Sequence, residues 1–252
     1  MAETGNIAKW DGAPDAVRGP LELLVERLQA ALGRHLQSIT VVGSSLTDDY
    51  RSGASDINTV VVLDEQNTKV LAAVAALGKT LRRQRLSPPL LMTPAYIDRS
   101  RDVFGIEFLD FQLTHKTILG DDPFAAISIG KPDVRLQCER ELKAMLIRMR
   151  QGYIAAAGKK MLVRDILIST ARGLAPLARA MLWLKGIERP RTMDATLRKA
   201  ATEFKVDLDA VIAAERWRHE KPRLTNADIE SAVAAIVGAV ETLTTIIDEM
   251  KL

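Results

Sequence analysis

The stretch of this sequence richest in chemistry reads Val41-Val42-Gly43-Ser44-Ser45, then ten residues, then Asp56-Ile57-Asn58. A β-branched run ending in Gly-Ser predicts a strand that turns sharply, and such a turn can offer backbone N–H groups and a hydroxyl to a phosphate. Asp56 and Asn58 stand two residues apart, so on a strand their side chains share one face. Two oxygen donors side by side on a rigid strand suit a Mg²⁺ ion that also grips a nucleoside triphosphate. A third donor is offered by the run Ile106 to Leu113, IEFLDFQL, which reads as another strand. There Glu107 would share a face with Leu109 and Phe111, and Asp110 with Phe108 and Gln112, so one carboxylate or the other could face the ion, but not both.

These residues need a framework, and the pattern along the chain supplies one. Leu21 to Leu32 has apolar residues at helical spacing with Pro20 placed to open the helix. Ser38 to Val42, Ile57 to Leu63 and Leu90 to Thr93 read as strands, and Lys69 to Arg85 as an amphipathic helix. Strands interleaved with helices predict a sheet domain of α+β or α/β type. Gly120-Asp121-Asp122-Pro123 and Gly130-Lys131-Pro132 interrupt the pattern, and no convincing strand follows. Asp133 is placed to cap a helix that buries Cys138, Leu142, Met145, Met149 and Tyr153. Met161 to Leu184 is a second long helix with Pro176 inside it, and Thr192 to Phe204 and Leu208 to Arg218 are shorter ones. Thr225 and Asp228 form a capping-box pattern ahead of a last helix reaching about Met250. The expected fold is therefore α+β. Residues 1–130 read as a sheet domain with flanking helices, and residues 131–252 as an all-α helical bundle with short loops.

The bulk numbers agree with a globular protein. Of 252 residues, 47% are apolar and 27% charged, enough for a sizeable core. No apolar run approaches the roughly 20 residues that span a bilayer, and the N-terminus lacks a signal-peptide stretch, so no membrane and a cytoplasmic location are expected. Cys138 is the one cysteine, which excludes an internal disulfide and predicts a core position. The net charge of +3 is unevenly spread: residues 133–191 carry 13 basic and 5 acidic residues. That face could meet something anionic. Nucleic acid is not the expected partner, because aromatics, which would stack on bases, are only 4% of the chain.

Gly-Ser, a loop of about ten residues and Asp-x-Asp on the next strand resemble the hallmark of the DNA polymerase β-like nucleotidyltransferase superfamily. Gly43, Ser44 and Asp56 match it, and Asn58 stands where the family usually has a second metal-binding carboxylate. Phe104-Gly105-Ile106-Glu107 looks like the strand on which the aminoglycoside adenylyltransferases of this superfamily carry their third carboxylate. Those enzymes also append helices to the sheet domain, so the resemblance implies a mixed sheet with flanking helices followed by a helical bundle. The match covers roughly residues 38–124, and the helical part agrees in layout only.

The resemblance implies a Mg²⁺-dependent enzyme that moves a nucleoside monophosphate from a triphosphate, ATP first among them, to a hydroxyl on a small-molecule or protein acceptor. Asp56, Asn58 and Glu107 would hold metal, with Asp56 and Glu107 catalytic and Glu107 the base. Gly43, Ser44, Ser45 and Lys143 would hold the nucleotide, with Arg148, Lys159 and Lys160 as further basic candidates. The alternative is a catalytically weakened member that binds a nucleotide or a partner, because an amide at position 58 removes one of three negative charges. A homodimer is among the assemblies left open. Asp48, Asp49, Asp121, Asp122, His35, His115 and His219 read as loop, turn or surface residues, and Trp183 as core.

Overall fold

The computed structural model describes residues 15–220 and 222–252. The chain divides into two compact units. The first holds the described residues up to Arg101 together with Phe108–Ser128, and the second holds Asp102–Glu107 with Ile129–Leu252.

The first unit is built on a four-stranded mixed sheet. Its strands are β1 (Leu36–Val42), β2 (Asn58–Leu63), β3 (Leu90–Met92) and β4 (His115–Leu119), in the spatial order β3-β2-β1-β4. β1 runs antiparallel to both β2 and β4, and β3 runs parallel to β2. Four helices accompany the sheet, α1 (Asp15–Leu32), α2 (Thr68–Ala76), α3 (Gly78–Arg83) and α4 (Pro94–Arg99), and a fifth, α5 (Gly105–Leu113), has its first three residues in the second unit and the rest in the first. Alternation along the strands divides them between two faces. Ile39 and Val41 of β1, Val61 and Leu63 of β2 and Ile118 of β4 pack in one core with Val17, Leu21, Leu24 and Leu28 of α1 and Val70 and Val74 of α2. Ser38 and Thr40 fall on the other face, where the Thr40 and Thr117 hydroxyls bond at 2.9 Å.

Several expected boundaries move. Pro20 lies inside α1 rather than opening it, because the buried stripe starts a turn earlier, at Val17. The helix expected over 69–85 is two helices broken at Leu77-Gly78, the first capped by the Asn67 side chain, which accepts from the Lys69 and Val70 amides. The larger correction concerns 106–113. That run is not a strand but helix α5, and the strand in this part of the chain is β4, which pairs with β1. Glu107 sits in the first turn of α5, where a carboxylate is favoured by the helix dipole. Glu107 and Asp110, three residues apart, therefore lie on neighbouring positions of one helix surface rather than on opposite faces of a strand.

The second unit is all helical: α6 (Lys131–Ala156), α7 (Lys160–Leu184), α8 (Met193–Phe204), α9 (Asp209–Glu220) and α10 (Asn226–Asp248). α7 contacts each of the other four, and its buried residues recur from Val163 to Leu184. α6 buries Cys138, Leu142, Met145 and Met149, whereas Tyr153 is 45% exposed. Asp133 does not cap α6. Gly130 precedes the helix and Pro132 occupies its opening turn, so Asp133 lies inside the first turn. Trp183 is half-buried rather than core, with the Lys131 ammonium 5.9 Å from its ring centre. The capping box at Thr225 and Asp228 is formed. α10 reaches membrane-spanning length with a mean hydropathy of 1.5, above what the sequence pattern suggested. Its stripe Ile229, Ile236, Val240, Leu243 and Ile247 is buried, and it packs on α6, α7 and α9.

Candidate nucleotide site

β1 ends at Val42, and Gly43–Leu46 make one 3₁₀ turn. Gly43 has φ +80, a conformation that costs other residues about 1 kcal/mol or more, so glycine permits the reversal. Its amide is not available to a ligand, because it donates to the Thr114 carbonyl at 3.0 Å and ties the turn to the chain just ahead of β4. The Ser44 side of the turn is half-buried. The Ser45 side chain is buried, 1% exposed, and its hydroxyl has no protein partner.

The Val42↔Asn58 pairing sets the start of β2 beside this turn. A Cβ on Gly43 would come 3.9 Å from Asn58 Nδ2. Asp56 and Asn58 are exposed while Ile57 between them is 1% exposed, so the alternation expected from the sequence holds. Asn58 thus lies beside the Gly43 turn at the ends of the two central strands, with the exposed Asp56 two residues ahead of it.

Arg85 also comes to this end of the strands, and no sequence pattern singled it out. Its Nη1 lies 3.8 Å from Asp56 Oδ1. The connection is built into the backbone, since Arg85 accepts at its carbonyl from the Ile57 amide at 2.8 Å, and Ser87 donates to the Ile57 carbonyl at 3.0 Å.

Glu107 belongs to the second unit. Its carboxylate accepts from Gln137 Nε2 at 2.8 Å, and Gln137 in turn accepts from the Ile106 amide at 3.0 Å. Gly105 approaches α6 so closely that a Cβ there would lie 2.8 Å from a Val134 methyl. The opening of α5 is thereby fixed to α6. Lys143 lies on α6 with its ammonium bonded to Glu139 and Asp248, and those two hydrogen bonds raise its pKa, the Glu139 bond most. Lys160 donates to the Leu224 carbonyl at 3.1 Å, and Arg148 pairs with Glu141 at 3.8 Å.

The donor set fits one divalent ion better than two. Asp56 offers a carboxylate and Asn58 a neutral carbonyl oxygen. β3, the strand outside β2, could supply further charge, but its segment Ser87 to Thr93 reads SPPLLMT and has no acid. The Ile57↔Leu86 bridge and the Val60↔Leu90 pair leave Ser87 and Pro88 beside Asn58. Among the described residues, no three His, Cys, Asp or Glu side chains form a group able to hold a metal. Two divalent cations a few ångströms apart need more clustered negative charge than these residues provide.

A cleft of about 650 Å³ opens elsewhere in the sheet unit, lined by Gln37, Ser38, Asp98, Arg101 and Asp122 among others. It lies toward the start of β1, away from the strand end that carries Gly43. His115 and Asp122 pair beside it at 2.8 Å. Asp122 also accepts from the Phe124 amide at 2.9 Å, the turn role its sequence position suggested.

No protein-family model matches this chain, and no curated protein matches it in sequence. Its architecture is similar to that of spectinomycin adenyltransferase AAD(9) from Enterococcus faecialis, solved with ATP and spectinomycin. The TM-score is 0.59 at 13% identity, over 89% of this chain and 99% of that one. Identity this low speaks to fold rather than to chemistry. The chain shares the fold of that adenyltransferase, a small mixed sheet with flanking helices followed by a set of C-terminal helices.

Proposed function

We propose that this protein binds a nucleoside triphosphate, preferably ATP, at the Gly43–Ser45 turn and the Asp56–Asn58 segment, and transfers its nucleoside monophosphate to a hydroxyl of a small-molecule acceptor. The observation that supports this reading is the Gly43 turn set beside Asn58, with the exposed Asp56 two residues away. The ATP and spectinomycin in the structural neighbour support the choice of nucleotide and of acceptor class.

In this reading the Ser44 hydroxyl and the Ser44 amide hold phosphate oxygens, and the turn keeps them in place. Asp56 and Asn58 would hold a Mg²⁺ ion, which when bound neutralises phosphate charge. The acceptor oxygen forms a bond to the α-phosphorus, and the bond from that phosphorus to the bridging oxygen breaks, releasing pyrophosphate. The acceptor's proton is released to solvent. Lys143 is engaged by two carboxylates, so Arg85 is the better candidate for a basic group at the phosphates.

A second reading is favoured by the scarcity of carboxylates at this site: the protein binds nucleotide but transfers it slowly or not at all. Incubation with ATP, Mg²⁺ and a panel of hydroxyl-bearing acceptors, followed by pyrophosphate detection, separates the two. Transfer that drops at least tenfold in Asp56→Asn supports the enzyme. Binding without pyrophosphate release, with release appearing in Asn58→Asp, supports the weakened form.

A further inference from the structure

Arg85 occupies a backbone position that glycine would fill at lower cost. Helix α3 ends in a Schellman turn: Leu86 donates to the Leu81 carbonyl at 3.0 Å, and Arg85 to the Arg82 carbonyl at 3.2 Å. The residue in the left-handed conformation of that turn is Arg85, with φ 54. Ala157 and Lys205 fill similar positions after α6 and α8, so the backbone alone does not set Arg85 apart. What sets it apart is where the turn delivers the side chain. The Arg85 carbonyl is bonded to the Ile57 amide, one residue from Asp56, and the guanidinium stands 3.8 Å from the Asp56 carboxylate.

Both side chains of that pair are at least half exposed, at 50% for Arg85 and 63% for Asp56, so the pair itself adds little stability. It does leave a strong, permanently charged phosphate donor at the strand end where negative charge is scarce. A triphosphate carries far more charge than one divalent ion cancels, and Asp56 with Asn58 is not built for a second ion. A planar guanidinium can bind two phosphate oxygens at once and needs no carboxylates to hold it.

We infer that Arg85 is the fixed second cation of this site, binding the triphosphate in the role that a second divalent ion would otherwise fill. The assignment rests on the proposed nucleotide site and adds to it a residue and a charge stoichiometry. Without nucleotide, Arg85 pairs with Asp56, and with nucleotide its guanidinium turns to the phosphates.

The test is calorimetric titration of a non-hydrolysable ATP analogue, at saturating Mg²⁺, into the full-length protein and its Arg85→Gly and Arg85→Lys variants, with a melting curve for each. Arg85→Gly suits the left-handed turn, so its melting temperature should equal or exceed that of the parent, while affinity falls by about tenfold or more. Arg85→Lys keeps the charge but loses the fork, and its affinity should lie between the two. A parent that binds the analogue and an Arg85→Gly variant that binds it within about twofold would overturn the Arg85 assignment alone. A parent with no affinity for the analogue would overturn the assignment together with the nucleotide site.

Discussion

Gly43 stands directly beside Asn58: the pairing of Val42 with Asn58 brings them together, and a Cβ on Gly43 would lie 3.9 Å from the Asn58 amide nitrogen. Space is therefore not what requires glycine; the backbone angle is. Gly43→Ala should cost about 1 kcal/mol of stability in urea denaturation. It should also weaken the ATP analogue by severalfold, because a strained turn no longer holds the Ser44 donors in one geometry. Unchanged affinity would mean that the turn is not a phosphate ligand.

Phe124 anchors the side of the sheet unit that carries α5. It is fully buried, with ring centres 5.1 Å from Phe111, 6.2 Å from Phe108 and 5.8 Å from His115. Phe124→Ala should destabilise the protein by roughly 3–5 kcal/mol through lost transfer energy and a residual cavity. Chemical denaturation checks this, and a loss below about 1 kcal/mol would mean that the cluster is not core.

Asp122 gives a pH signature. Burial pushes its pKa up, but the hydrogen bonds from His115 and the Phe124 amide, with the His115 charge, outweigh it and leave the pKa below the usual 3.8. A carboxylate with a depressed pKa contributes stability that is present above its unfolded value and lost as pH falls through the folded one. Asp122→Asn should lower the melting temperature at neutral pH, and the gap to the parent should close on acidification below about pH 4. A gap that does not depend on pH would remove the charge from the explanation.

Cys138 behaves in the opposite sense. Burial, and then the charge of Glu107, push its thiol from 9.0 up to about 12, so it stays neutral in the folded protein well past the pH at which an unfolded thiol ionises. The unfolded state then binds fewer protons, and stability should fall above about pH 9 by on the order of 1 kcal/mol per unit. Cys138→Ala should flatten that part of the profile. Thiol reagents should label native protein slowly and denatured protein fast.

The residues at and beside the Gly43 turn were legible because their signals are local. A β-branched run, a Gly-Ser turn and an alternating Asp-Ile-Asn carry their geometry in their own spacing, and β1, β2 and the turn fall within a residue or two of expectation. The run 106–113 misled because its Ile, Phe and Leu residues suit strand and helix alike. Tertiary contacts decided it: Gly105 seats against Val134, and Gln137 grips the opening of the helix. β4 was missed for the converse reason. His115-Lys116-Thr117 has little apolar alternation, and its pairing with β1 compensates for a weak local pattern. Arg85 was invisible for a third reason, since only the folded chain brings the end of α3 to the start of β2.

Asp56 is the acidic anchor of the proposed nucleotide site. Titration of the non-hydrolysable ATP analogue with Mg²⁺ into the parent and into Asp56→Ala tests it most directly. Saturable binding by the parent, reduced at least tenfold in Asp56→Ala with the melting temperature preserved, is the predicted result. Equal binding by the two proteins, or none by the parent, would contradict it.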